Sequence, residues 1–289
     1  MSKFVNNMKT VVLMALLTAL ILWIGSFFGT GGLYMALILA AVMNFVSFFF
    51  SDKIAILMMR GQEVGPEHEL YGIVQQLATR AGLPMPRVYV SPHTAPNAFA
   101  TGRGPRHASV CATQGLLQML SHEEIAGVMA HELAHVKHRD ILITSVATTL
   151  GAAISVLGHM AMFGGARDDE GHSHPLAGLL VLLLGPLAAG LIQAAISRSR
   201  EFNADTEGAQ LLGDPMPLAT ALEKIHLQAQ RIPMDVNPAF NSLFIAEPLS
   251  VMGRGMRSFA NLFQTHPPLE DRLTNLIGRP TTGAFRYAA

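Results

Sequence analysis

The sequence is poor in cysteine and in charged residues, and each shortage excludes a class of protein. A single cysteine, Cys111, rules out an internal disulfide and any cysteine-rich metal site. We expect Cys111 to be a packed strand residue, because unpaired cysteine is usually buried. Charged residues make up 14% of the chain, against about 25% in soluble domains. The net charge is zero and no basic patch with interleaved aromatics occurs, so nucleic acid is not an expected partner.

The low charge content reflects long apolar runs that contain no charged residue. There are four of them: Val11–Phe28, Leu33–Phe50, Ile141–Phe163 and Leu176–Ile196. Each is near or above the roughly 18–20 residues that span the hydrocarbon core as a helix. The first has no clear cleavage site and lies close to the second, so we interpret it as an uncleaved anchor. For the third and fourth runs, buried helices of a soluble core are the alternative.

The runs divide the chain into four parts: two spans in residues 1–50, a polar segment in 51–140, two spans in 141–197 and a polar segment in 198–289. Lysine and arginine flank the runs on the side of the termini and of the two polar segments. The connection Gly29–Gly32 carries no charge, and the connection between the third and fourth runs has one basic residue amid acidic ones. By the positive-inside rule, both termini and both polar segments are cytoplasmic.

The strongest local signal is the stretch Ser121–Asp140, SHEEIAGVMAHELAHVKHRD. Its Ser-x-x-Glu start is a capping box, which predicts the beginning of a helix. His131 and His135 are four residues apart, so their imidazoles share one helix face, as two ligands of a zinc ion would. Glu132 is placed to accept a proton from a water that such an ion activates. The alternative is two solvated histidines on a charged helix.

A third ligand must come from elsewhere in the chain. His138 lies about 10 Å along the axis of the same helix from the first signature histidine, too far to share the ion. Glu201 follows the fourth apolar run about as closely as the HExxH signature precedes the third run. If both runs span the membrane, Glu201 and the signature histidines lie at the same distance from the hydrocarbon edge. Asp205, one turn later, could orient an imidazole. The open alternative is that both acids pair with Arg198 or Arg200 on an exposed helix.

Two further segments have a possible role in substrate access. Arg87–Ser91 is a predicted strand, and Asn97–Thr101 with Ala108–Thr113 is a predicted hairpin. The edge of this hairpin could hold an extended peptide by main-chain hydrogen bonds, or the hairpin could be purely structural. The irregular apolar stretch Pro233–Gln264 is either a lid over the site or a poorly packed loop at the membrane surface.

Four motifs together resemble the HtpX-type membrane zinc metalloproteases of bacteria, which are distant relatives of the CAAX-prenyl endopeptidases. The motifs are Asn97–Gly102, the HExxH signature with Asp140, Ser197–Asp205 and Thr265–Arg272. Their order, their spacing and the four-span layout match over nearly the whole chain. The resemblance implies a mainly α integral membrane protein with four transmembrane helices and a cytoplasmic, gluzincin-like zinc peptidase domain containing a small β-hairpin or sheet.

The resemblance also implies roles for individual residues. It places one Zn²⁺ on His131, His135 and Glu201, with Glu132 as the catalytic glutamate, and it assigns substrate-strand binding to Asn97, Ala98 and Phe99. A further group is expected to support the ligands or the transition state: Asp140, Asp205, His266, Arg272 and Arg198. For His266 we weigh two roles, a donor to the oxyanion and an inhibitory fifth ligand.

The expected activity is hydrolysis of peptide bonds in misfolded or damaged membrane proteins, as part of protein quality control under stress in the bacterial inner membrane. The expected partners are polypeptide substrates and the lipid bilayer. Two alternatives remain: a peptidase restricted to lipidated C-terminal peptides, and a non-catalytic membrane scaffold. An intact Glu132 argues against the scaffold, which has no need of a general base.

Overall fold

The computed structural model describes residues 2–26, 29–163, 198–229, 231–232, 243–245 and 267–278. The fourth apolar run, the acidic connection before it and His266 lie outside the described residues. Most of the predicted lid also lies outside them, with Leu243–Ile245 as its described part.

Two apolar helices begin the chain, α1 (Ser2–Ser26) and α2 (Gly29–Met58), and they pack against each other. A polar pair inside this contact joins them, since the Asn44 side chain donates to Thr18 Oγ1 at 2.7 Å. The outer face of α2 leaves large apolar side chains uncovered, with Tyr34 69% and Met35 68% exposed. An apolar face of this size is typical of contact with lipid.

Among the described residues, α2 is the helix whose length and composition suit a membrane crossing. Two shorter apolar stretches, Asn7–Trp23 and Asp140–Ala152, accompany it. The expectation of four spans is therefore confirmed only in its coarser form, a mainly helical chain with a membrane-capable helix and a small sheet. The number of crossings stays a prediction.

The small sheet is mixed and contains four strands, in the spatial order β1-β2-β4-β3. Its strands are β1 (Gln62–Glu63), β2 (Arg87–Ser91), β3 (Ala98–Gly102) and β4 (Ala108–Thr113). β2 runs parallel to β4, and the two outer strands are antiparallel to their neighbours. The predicted hairpin is confirmed as β3 and β4, and Cys111 is fully buried in β4, where burial raises the pKa of its thiol to about 12.

The HExxH motif lies on α5 (His122–His138), which follows α3 (Glu69–Ala81) and α4 (Gln114–Met119). The predicted capping box is present: Glu124 N donates to Ser121 Oγ at 3.3 Å, and Ser121 N donates to Glu124 Oε2 at 2.9 Å. Nearly every residue from Glu124 to Val136 is buried. The helix is therefore a central element of the core, and the alternative of two solvated histidines is wrong.

α5 does not continue into the third apolar run as one helix. Arg139 adopts a left-handed conformation with φ 62° and ends the helix, and α6 (Asp140–Phe163) begins at the next residue. This one-residue break changes the chain direction, because a left-handed residue closes the last helical turn. It brings Asp140 back against His135, four residues before the break.

Three later helices complete the described part: α7 (Arg198–Leu212), α8 (Met216–Ala229) and α9 (Leu269–Ile277). α7 and α8 pack against α5, and α9 packs against both of them. α7 can approach α5 closely because Gly208 has no side chain. A Cβ at that position would lie 2.9 Å from the backbone nitrogen of His131.

Candidate metal centre

Three side chains from α5 and α7 direct donor atoms at one point. His131 Nε2 lies 3.2 Å from His135 Nε2 and 3.8 Å from Glu201 Oε2, and His135 Nε2 lies 3.5 Å from Glu201 Oε1. Ligands at 2.0–2.1 Å from a tetrahedral ion stand about 3.3–3.4 Å apart. The donor spacing therefore fits a four-coordinate metal with one position left open. These are the three groups expected from the sequence.

Carboxylates behind the two imidazoles decide which nitrogens face the centre. His131 Nδ1 lies 2.9 Å from Asp205 Oδ1, and His135 Nδ1 lies 3.2 Å from Asp140 Oδ2. A neutral imidazole that donates its Nδ1 proton to a carboxylate has a lone pair on Nε2. Two such lone pairs and the Glu201 carboxylate then converge, and they repel one another unless a cation lies between them.

The raised pKa of His135 also shows that this point favours a positive charge. Burial by itself lowers the pKa of His135, but Glu201, the hydrogen bond to Asp140 and the charge of Glu132 together raise it to about 9. The surrounding acids thus outweigh the cost of burying a charge on the ring. The same acids favour a metal cation at this point.

A buried arginine completes the support of His131. Arg272, on α9, donates through Nη2 to Asp205 Oδ1 at 2.6 Å and through Nε to Asp205 Oδ2 at 2.9 Å. Both side chains are almost completely buried. Burial would raise the pKa of Asp205, but Arg272 and His131 lower it to about 2.

Glu201 is also buried, at 4% exposed, so the alternative of an exposed, ion-paired helix is wrong.

A cavity of about 50 Å³ lies beside the three donors. Its lining combines the metal-site residues with parts of β3 and α6 and the described part of the predicted lid: Phe99, Ala100, His131, Glu132, His135, Asp140, Ile141, Thr144, Arg200, Glu201, Leu243, Phe244 and Ile245. Glu132 is 5% exposed and lines this cavity, as a general base for bound water must.

The structure does not bring every expected residue into the cavity. Phe99 lines it, whereas Asn97 and Ala98, the two residues before it in the chain, are buried but do not belong to the lining. The side chain of Asn97 accepts a hydrogen bond from Ile245 N at 3.1 Å. Arg198 is exposed at the first turn of α7, outside the lining. His138 also lies outside, with Nε2 2.8 Å from Glu207 Oε2.

Sequence reasoning missed Arg200 and Thr144, which line the cavity. Helical spacing of three residues would put Arg198 rather than Arg200 on the face of Glu201, so no local signal favours Arg200. Ser145 was also missed, although its hydroxyl accepts a hydrogen bond from Gly102 N at 3.2 Å and holds the end of β3 against α6.

Comparison with known proteins agrees with this geometry. Residues 66–279 match the model of peptidase family M48. The Protease HtpX homologs of Paraburkholderia phytofirmans and Burkholderia ambifaria are each 52% identical over 287 residues, which is 97% of this chain and 99% of theirs. The crystal structure of S. mikatae Ste24p is similar in fold, with a TM-score of 0.50 and 19% identity over 95% of this chain and 66% of that one.

The family match covers both segments that supply the three donors, and the curated relatives match along nearly their whole length. The chain therefore belongs to peptidase family M48, as a membrane-bound metallopeptidase of the HtpX type.

Proposed function

We propose that the chain is a zinc-dependent endopeptidase in which His131, His135 and Glu201 hold the ion and Glu132 is the general base. The observation that carries the proposal is the convergence of three donor atoms with mutual distances of 3.2, 3.5 and 3.8 Å. Two histidines and one carboxylate are a donor set that catalytic zinc uses. When bound, zinc supplies the Lewis acidity that lowers the pKa of water and polarises a carbonyl.

The protein's own groups carry the proton through the reaction. Glu132 accepts a proton from the attacking water as the water oxygen bonds to the carbonyl carbon of the peptide. Glu132 then gives this proton to the peptide nitrogen as the C–N bond breaks, so that one water is consumed for each bond cleaved. Asp205 and Asp140 hold the two imidazoles in the tautomer that turns Nε2 towards the ion, and Arg272 fixes Asp205 in place.

Strand β3 is the proposed binding edge for the substrate. Thr113 N donates to Asn97 O, so the main-chain groups of residues 97, 99 and 101 point towards β4. The main-chain groups of Ala98 and Ala100 therefore point away from β4. An extended peptide could pair with these two residues beside the cavity. The next outward-pointing main-chain group, Gly102 N, already donates a hydrogen bond to Ser145 Oγ. Main-chain pairing tolerates many sequences, which suits a protease of unfolded polypeptides.

We also propose that the substrates are misfolded or damaged membrane proteins, met at the cytoplasmic face of the bacterial inner membrane by a protein with four spans. The exposed apolar face of α2 and the start of apolar α6 beside the metal centre support a site close to the bilayer. Single cysteines added at Ser173 and at Glu69 test this orientation with an impermeant maleimide in intact cells. Labelling of the Glu69 variant, or protection of the Ser173 variant, would contradict it.

The decisive experiment is proteolysis of unlipidated casein by metal-free protein in detergent after zinc is added back, beside Glu132→Gln. Zinc should restore cleavage in the natural sequence and not in the variant, while both bind about one zinc per chain. Equal cleavage by both proteins would reject Glu132 as the base. Zinc binding without casein cleavage, together with cleavage of a prenylated C-terminal peptide, would favour the restricted peptidase.

A further inference from the structure

The turn between β3 and β4, residues 103–107, lies between two apolar helices. On one side, the guanidinium carbon of Arg103 lies over the ring of Phe49 on α2, 5.2 Å from the ring centroid. On the other side, Ser145 of α6 accepts a hydrogen bond from Gly102 N at 3.2 Å. α2 is suited to cross a membrane, and α6 begins with an apolar stretch. The turn therefore lies where the polar part of the chain meets its apolar helices.

The exposed apolar face of α2 indicates how deep this turn lies. The uncharged part of the face extends from Leu33 to Phe50, which is about 26 Å at 1.5 Å per residue. The hydrocarbon core of a bilayer is about 30 Å thick. Phe49 and Phe50, 40% and 38% exposed, end this part, and the charged residues Asp52 and Lys53 follow. The turn beside Phe49 is therefore at the level of the lipid headgroups.

Positively charged side chains lie at the same level. Lys53 Nζ is 5.3 Å from the centroid of the Phe50 ring, and Arg103 lies over the neighbouring ring. Arg106, on the same turn as Arg103, is exposed. We call Lys53, Arg103 and Arg106 the basic patch. A long basic side chain over an exposed ring keeps its apolar stem on the ring and its charge in the polar layer.

The acids of the described residues do not neutralise the basic patch. Asp52, which precedes Lys53, pairs with Arg87 at 3.3 Å. The chain has no acidic residue between Glu69 and Glu123, a stretch that contains the whole hairpin. No ion pair joins the basic patch to a carboxylate of the described residues. The patch therefore has positive charge available for an external anion.

The backbone of the turn presents two of these charges in a fixed arrangement. Gly102 has φ 132°, and a side chain there would collide with the carbonyl oxygen of His107. Gly104 has φ 149°, and its carbonyl accepts a hydrogen bond from His107 N at 2.8 Å. A turn that is already ordered loses little conformational freedom when a ligand binds. Arg103 and Arg106 are therefore preorganised for binding.

We propose that the basic patch is a binding surface for anionic phospholipid of the membrane. Its three cations contact headgroup phosphates, and the acyl chains lie along the exposed face of α2. Because the turn ends β3, the bound lipid also holds the outward edge of this strand close to the bilayer surface. The inference does not depend on the metal chemistry, and it can be tested without a peptide substrate.

The test measures which lipid lies beside the turn, using full-length protein in vesicles. His107→Cys places a bimane fluorophore on the exposed end of the turn. Cys111 does not compete for the label, because it is buried and burial raises the pKa of its thiol to about 12. Spin-labelled phosphatidylglycerol or spin-labelled phosphatidylcholine then quenches the bimane. Phosphatidylglycerol should quench more strongly, and the difference should shrink at high salt, which screens charges.

Substitutions in the patch should change this lipid preference in proportion to the charge removed. A basic residue near an anionic membrane surface strengthens binding about fivefold. Arg103→Gln with Arg106→Gln should therefore lower the preference about fivefold for each arginine, whereas Arg103→Lys with Arg106→Lys should retain most of it. Lys224→Gln is the matched control. It removes a cation that pairs with Glu124 at the start of α5, the end remote from α6, and it should leave the preference unchanged.

Three results would overturn the proposal. The first is equal quenching by the two lipids in the natural sequence, and the second is a preference that the double glutamine variant retains. If that variant does not fold, Arg106→Gln alone decides, since its exposed side chain can be replaced without disturbing the core, and an unchanged preference would again reject the proposal. The third is a higher KM for an acidic peptide with the lipid preference unchanged, which would assign the patch to substrates instead.

Discussion

Replacing Asp205 by asparagine should reveal two separate functions of one buried carboxylate. Asp205 is fully buried and contacts Arg272 at 2.6 and 2.9 Å and His131 at 2.9 Å. The first contact stabilises the fold by compensating a buried charge. The second orients a metal ligand. Asparagine keeps the shape of the side chain and removes its charge, so both functions are affected at once.

The stability effect follows from the charge that is left behind. Asp205→Asn leaves the Arg272 guanidinium buried without its hydrogen-bonded anion, which costs about 3–5 kcal/mol. For a domain of this size, such a loss lowers Tm by roughly 6–20 °C. The metal effect is distinct, because a weakened partner on His131 Nδ1 typically reduces metal affinity about 10–100-fold.

A double variant separates the two effects. Asp205→Asn with Arg272→Met removes the uncompensated charge, so Tm should recover by more than half, while zinc affinity stays about 10–100-fold low. Tm in detergent and zinc competition with a chelator measure the two quantities. Glu207→Gln is the control, since it removes a carboxylate of the same helix that pairs with Lys137 at the partly exposed surface, and it should change stability by less than about 1 kcal/mol.

Two outcomes would refute this reasoning. If the double variant were no more stable than Asp205→Asn, the uncompensated charge of Arg272 would not be the cause of the lost stability. If Arg272→Met restored zinc affinity in the double variant, the Asp205 carboxylate would not be what orients His131.

Two other predictions follow from the same packing. Gly208→Ala should lower zinc affinity at least about tenfold in chelator competition, because the new Cβ would lie 2.9 Å from the α5 backbone and force α7 outward. Gly72→Ala is the control: nothing lies within 4 Å of its Cβ, so it should add up to about 1 kcal/mol of stability without changing zinc affinity. Equal zinc affinity in the two variants would contradict the prediction. The lowered pKa of Asp205, about 2 against an ordinary 3.8, means that its ionised form stabilises the fold fully above about pH 4 and that this contribution, about 2 kcal/mol, is lost as the pH falls towards 2. Tm measured from pH 5 to 2 should therefore fall more steeply for the natural sequence than for the Asp205→Asn, Arg272→Met double variant, and parallel curves would count against the prediction.

The sequence was sufficient wherever the signal is contained in a few neighbouring residues. The start of α5 was predicted because a capping box uses two side chains three residues apart and their own backbone groups. The β3–β4 hairpin was predicted for the same reason, since it is a contact between adjacent strands. Glu201 was expected as a ligand from its distance to an apolar run, and the structure brings its carboxylate to the two histidines.

Local signals failed where a single backbone torsion or a long-range contact decides the outcome. The left-handed Arg139 ends α5 and thereby places Asp140 against His135, and no local pattern predicts this torsion. The choice between Arg198 and Arg200 depends on how α7 packs against α5. No periodicity within α7 encodes this, and only the structure shows that Arg200 lines the cavity.

The sequence by itself determined the class of the protein, its apolar runs, the HExxH helix and the chemistry of its ligands, because these depend on residue type and short spacing. Only the tertiary structure decided which arginine side chain lines the cavity, which main-chain groups of β3 face outward and how closely α7 approaches His131. These features depend on the packing of residues that are far apart in the chain, such as Gly208 against His131 and Arg272 against Asp205. Such contacts form only when the whole core is assembled.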